Sequence, residues 1–152
     1  MNNSQKITKL KTLSRKLFKK TSKLSILLVG SVARNDRLNK LSDVDIIIFA
    51  NTTSINPQYY PPIRMFKLAA EKTFTTPTSL QLLTSDDLAL LVAPPLLTGY
   101  IRDGIPIFGK DVRKNFVKQL KNYTAREVVV SYFKRILFER YYFRRRLVEL
   151  NL

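Results

Sequence analysis

The chain contains no cysteine and no histidine. Disulfides, thiol nucleophiles, imidazole bases and the usual zinc sites are therefore excluded. Chemistry must come from carboxylates, hydroxyls, cations and a borrowed metal. Acid is also scarce: 11 Asp and Glu oppose 27 Lys and Arg, a formal charge of +16. Residues 1–35 hold no acid at all. Long apolar runs are missing too. The longest lie near residues 24–29 and 44–50, far short of a membrane span, so no membrane partner is expected. Residues 1–23 are basic but lack the uninterrupted apolar stretch and small-residue cleavage site of a secretory signal, which predicts a cytoplasmic protein.

What is present fits one domain. A chain of 152 residues, 45% apolar and 25% charged, can bury a core and is not disordered throughout. Its bases concentrate at both ends. Lys6, Lys9, Lys11, Arg15, Lys16, Lys19, Lys20 and Lys23 precede the first apolar run. Between residues 110 and 146, twelve bases face Asp111, Glu127 and Glu139, with Glu149 just beyond. Such asymmetry points to a polyanion, because neutralised phosphates release condensed counterions. Lys16, Lys19 and Lys20 at one end, and Arg144, Arg145 and Arg146 at the other, are the nucleic-acid candidates. Solvated helix faces are the plain alternative.

The pattern predicts a basic amphipathic helix over residues 5–20, with Ile7, Leu10, Leu13, Leu17 and Phe18 on one face. Buried strands follow over 24–29 and 44–50, with a short helix over 31–38 between them. Residues 51–62 read as a loop and 62–72 as a helix with proline near its first turn. A third strand is expected over 78–84, then a capped helix over 88–92, a further helix up to residue 102, and a strand over 105–108 opened by the Asp103-Gly104 turn. Two more helices are expected over 111–121 and 124–150, the second begun by a Thr124–Glu127 capping box.

Two short motifs carry the chemistry. Gly30, straight after a buried strand, lets backbone N–H groups approach a phosphate, and Ser31 adds a hydroxyl donor. Asp43 and Asp45 occupy alternate positions, so both carboxylates project from one face. Two carboxylates beside a phosphate cradle suit a hard cation such as Mg²⁺. Arg34 and Arg37 fit phosphate binding and a solvated face about equally, and Asp103 reads as a turn residue. The aromatics Tyr132, Phe133, Phe138, Tyr141, Tyr142 and Phe143 fit core or interface packing better than base stacking.

Val29-Gly30-Ser31, a gap, and Asp43-Val44-Asp45 resemble the signature of the polymerase-β-like nucleotidyltransferase superfamily, and within it the minimal nucleotidyltransferases. Ala33-Arg34, Ser42 before the first Asp, and the stretch from Arg102 to Gly109 agree with it. The resemblance covers about residues 22–112. It implies transfer of a nucleoside monophosphate from a nucleoside triphosphate, with ATP the expected one, to an acceptor hydroxyl. Gly30, Ser31 and Arg34 would hold the triphosphate, and Asp43 and Asp45 would bind Mg²⁺ or Mn²⁺ and carry catalysis. Two departures stand out: Gln81 occupies the slot of the third carboxylate, and Asn35 replaces the usual second glycine.

The expected fold is α/β of the α+β kind, a small mixed sheet of about four strands with packed helices. Residues 1–21 would form a basic helix, 22–112 the nucleotidyltransferase core, and 113–152 a basic helical tail on the core or a partner. The first functional expectation is metal-dependent nucleotidyl transfer to a protein or nucleic-acid acceptor. The alternative is a catalytically weakened relative that binds nucleic acid or serves as the antitoxin-like partner of a helical protein; a homodimer is also open.

Overall fold

The computed structural model describes residues 1–19, 21–35, 43–85 and 101–113, and seven single positions between 124 and 137. Helix α1 (Asn3–Phe18) begins two residues before the expected start. The reason is a capping box that sequence periodicity overlooks: Asn2 accepts from the Gln5 amide at 2.9 Å, while the Gln5 side chain accepts from the Asn2 amide at 3.0 Å. The helix stops at Phe18, short of residue 20. Its buried positions Leu10, Ser14 and Phe18 recur every fourth residue and face the sheet.

The sheet has four strands: β1 (Leu24–Val29), β2 (Val44–Ala50), β3 (Thr78–Leu83) and β4 (Ile105–Phe108), in spatial order β3-β2-β1-β4. β1 pairs antiparallel with both β2 and β4, whereas β2 and β3 run parallel. The continuous apolar runs fill the two central strands, whose two faces are both covered, and the less apolar β3 and β4 take the edges. A parallel pair needs a crossover, and α3 (Tyr60–Phe74) supplies it. Prolines in its first turn set its start, and Thr75, left-handed at φ 56°, sends the chain into β3. The helix is longer than the expected 62–72 because Thr73 and Phe74 are buried against the sheet.

One sheet face carries Leu24, Ile26, Leu28, Ile46, Ile48 and Leu80 under α1 and α3. Phe18 closes that layer, with ring centroids 6.1 Å from Phe66 and 5.6 Å from Phe108. Such pairs add about 0.5–1.5 kcal/mol beyond their burial. The opposite face packs Leu27, Val29, Ile47, Phe49 and Leu83 beneath Ile101. Thus every central-strand position but the polar ones is committed to one of two cores.

The expected short helix over 31–38 shrinks to α2 (Gly30–Ala33). Asn35 ends it in the left-handed region at φ 59°. The expected helix over 88–92 and nearly all of that over 111–121 lie outside the described residues, as does Glu127. Described positions from Arg126 to Leu137 are helical. No helix among the described residues is long and apolar enough to cross a membrane.

Candidate active site

The antiparallel pairing of β1 with β2 sets Val29 opposite Asp45, so the chain leaves β1 beside the Asp45 side chain. Gly30 follows at φ +73°. A Cβ there would fall on Asp45 Oδ2 and lie 3.2 Å from Asp45 Cγ. Glycine is therefore required twice, by the left-handed backbone and by the carboxylate that occupies the space of a side chain. Ser31 comes next, half-buried in the first turn of α2. The residue before α2, Val29, offers no side-chain cap. Amide groups of an uncapped first turn suit an incoming anion.

Asp43 lies just before β2 rather than within it, and is exposed, whereas Asp45 is half-buried. Burial pushes the Asp45 carboxyl up to about 6, the neighbouring Asp43 charge adds to the rise, and the Arg34 charge opposes it. Arg34 thus stands close enough to influence the Asp45 carboxylate. It is the residue at the C-terminal end of α2, and the left-handed turn at Asn35 immediately follows. Asn tolerates that conformation better than most residues, which is why it can stand where glycine is usual. Its side chain also accepts from Asn3 Nδ2 of α1 at 3.1 Å.

The third-carboxylate slot looks different in three dimensions. Parallel pairing sets Ser79, not Gln81, across from Asp45; Gln81 lies across from Ile47 and is exposed. Both share the Asp45 face of the sheet, and neither is acidic. Among the described residues no cluster of three His, Cys, Asp or Glu side chains could hold a metal. Two carboxylates remain, enough for Mg²⁺ completed by phosphate oxygens and water.

Ser79 and Asp103 were not predicted as site residues. Ser79 gave no sequence signal, because its position follows from a strand pairing bridged by α3. Asp103 read as a turn residue, yet Gly104 beside it packs against the end of β1, where a Cβ would sit 3.1 Å from Val29 Cγ1 and 3.3 Å from Leu28 O. The hydrogen bond from Arg102, at 2.7 Å, holds Asp103 below its ordinary pKa; burial opposes it, and the charges of Arg102 and Arg34 add lesser lowering effects. Arg113 fixes this turn by donating to Gly104 O at 2.8 Å while pairing with both oxygens of Asp111. Lys16 on α1 and Lys19 just after it are exposed, toward the opposite end of the sheet from this corner. Lys20, Arg37, Ser42, Arg144, Arg145 and Arg146 lie outside the described residues.

The sequence matches the nucleotidyltransferase domain family over residues 7–145, and the chain belongs to that family. No curated protein matches it. Among solved structures, it is similar to a chain of a toxin-antitoxin crystal structure with AMP-PNP, at 19% identity over 91% of this chain and 98% of that one, with a TM-score of 0.44. A mutant of the toxin-antitoxin MntA-HpeT matches at 18% identity over 97% and 99%, TM-score 0.44. The tri-AMPylated Shewanella oneidensis HEPN toxin in complex with MNT antitoxin matches at 17% over 97% and 99%, TM-score 0.43. At identities and TM-scores this low, the likeness carries nothing about this chain's acceptor or partners.

Proposed function

We propose that the chain transfers a nucleoside monophosphate from a nucleoside triphosphate, ATP being the expected one, to a hydroxyl of a protein or nucleic-acid acceptor. The observation that carries this reading is the packing of the Asp45 carboxylate over Gly30 at the uncapped start of α2. In this reading residues 22–112 form the transferase core. The first-turn amides and the Ser31 hydroxyl receive the triphosphate, and Arg34 offsets its charge. Asp43 and Asp45 hold Mg²⁺ or Mn²⁺, which when bound polarises the phosphoryl oxygens and offsets charge on the leaving group. The acceptor oxygen bonds to the α-phosphorus, the bond to the bridging oxygen breaks, and pyrophosphate leaves. The acceptor proton passes to solvent.

A second reading rests on β3, where Ser79 and Gln81 offer a hydroxyl and an amide in place of a carboxylate. It describes a protein that holds a nucleotide and one metal ion without efficient transfer. Either reading accommodates a helical protein partner or a homodimer, because Val129, Phe133, Ile136 and Leu137 recur at helical spacing and are exposed, Phe133 at 66%. The tail over 113–152 would then face the partner.

Labelled nucleoside triphosphates, Mg²⁺ or Mn²⁺, and candidate RNA, DNA and protein acceptors separate the readings. Label transferred by the native chain and reduced at least about 100-fold in Asp43→Asn/Asp45→Asn supports the enzyme, since even supporting residues of a metal site are worth 10–100-fold. Nucleotide binding with no transfer to any acceptor supports the second reading.

A further inference from the structure

Helices α1 and α3 lie antiparallel on the sheet. At one end Lys6 Nζ sits 5.3 Å from the Phe74 ring centroid, joining the start of α1 to the close of α3. At the other, Tyr59 OH donates to Thr21 Oγ1 at 2.9 Å, joining the start of α3 to the segment after α1. The outer face of this pair carries Lys9 and Lys16 from α1, Lys19 at its C-terminal cap, and Arg64 and Lys72 from α3, all exposed. None of these five makes an ion pair. α1 contains no acid, and α3 contains only Glu71, which is held by Lys67 at 3.3 Å. Antiparallel packing therefore spreads unpaired positive charge along the whole layer, with Lys9 and Lys72 toward the candidate active site and Lys19 and Arg64 at the far end.

We infer that the outer face of the α1–α3 pair is a nucleic-acid-binding surface that grips the phosphodiester backbone. A helix the length of α1 is about 24 Å long, which in a duplex passes roughly seven phosphates of one strand. Charge spaced over that distance matches an extended polyanion better than a single phosphate group. A membrane surface fits less well, because the apolar face of α1 is already buried against the sheet and cannot enter lipid. Met65 and Leu68, 58% and 56% exposed on α3, are too few to anchor the layer alone. The surface reads no sequence: exposed Lys and Arg contact phosphates, so affinity is salt-dependent and indifferent to base order.

This inference stands apart from nucleotidyl transfer, and the two can fail separately. Anisotropy of a short fluorescein-labelled RNA and of a labelled DNA duplex is followed against salt from about 50 to 200 mM. The native chain and Asp43→Asn/Asp45→Asn should bind alike. Lys16→Gln/Lys19→Gln/Arg64→Gln should bind at least tenfold more weakly, with a log–log salt slope shallower by about 2 to 3, while keeping the native Tm and the native Tm shift with ATP and Mg²⁺. Lys9→Gln/Lys72→Gln, at the other end of the layer, should show a smaller loss of the same kind. Unchanged binding by both sets would overturn the inference and assign binding to other bases. Absence of binding by the native chain would overturn it too, as would charge-dependent capture by phosphatidylserine vesicles without RNA or DNA binding.

Discussion

Strands β2 and β3 start side by side at the end of the sheet that carries the candidate site and run parallel, yet the faces they share there offer opposite chemistry. On β2, Asp45 projects beside Gly30, with Asp43 just before it. Across from Asp45 on β3 stands Ser79, followed on that face by Gln81. The residues that alternate with these, Ile46 and Ile48 on β2 and Leu80 and Leu82 on β3, all enter the core beneath α1 and α3. The apolar positions of each strand thus specify where it lies, and the few polar ones on the shared face, Asp45 on β2 and Ser79 and Gln81 on β3, are left to specify what it does. β3 holds its place beside β2 with no charge on the face it shares with Asp45.

The largest expected effect falls on the β1–β2 corner. Gly30→Ala forces a side chain into a left-handed backbone and onto the Asp45 carboxylate, so it should destabilise the protein by about 2 kcal/mol or more and abolish the thermal shift with ATP and Mg²⁺. Urea unfolding and a melting series read both; a neutral result would mean that the corner is not built around glycine. On the β3 side, Ser79→Asp should raise Mn²⁺ affinity about tenfold, equivalent to about 1.4 kcal/mol, as followed by electron paramagnetic resonance. Gln81→Asp should raise it less. The reverse order would mean that the pairing opposite Asp45 is not what places a third ligand.

A smaller effect is expected at Asp45 itself. Its folded pKa, about 6, exceeds the ordinary 3.8, so the folded state binds more protons between those values and stability falls as pH rises through that window. Asp45→Asn should remove that slope and stabilise the metal-free protein above the window by about 1 kcal/mol. A shift of this size would be worth about 3 kcal/mol in full, reduced because the group is partly solvated. Urea titrations on either side of the window test the sign; a native chain that gains stability with rising pH there would refute it. Smallest is the α2 exit: Asn35→Gly should be neutral within about 0.5 kcal/mol, whereas Asn35→Ala should cost about 1 kcal/mol.

All four strands were legible from the sequence, because buried runs bounded by turn residues admit few other readings. The corner was legible as well, since Gly30-Ser31 directly follow β1 and Asp43-Val44-Asp45 lead into β2, the next strand along the chain and its neighbour in the sheet. Helix ends were less so. α1 begins earlier than its apolar period, because Asn2 and Gln5 cap it through side chains that carry no periodicity. α2 ends sooner than expected because Asn35 turns left-handed.

Sequence by itself determined the family, the four strands and the pairing of a Gly-Ser turn with an Asp-Val-Asp segment, since each is written in residues close along the chain. Tertiary structure decided the rest. Ser79 rather than Gln81 faces Asp45 because α3 fixes the parallel register of β3, a relation between segments more than thirty residues apart. It also decided that the bases of α1 and α3 share one face: periodicity gives each helix an outer side, but only their antiparallel packing joins those sides. Burial of Asp45 is likewise a property of the assembled sheet, and burial is what moves its pKa.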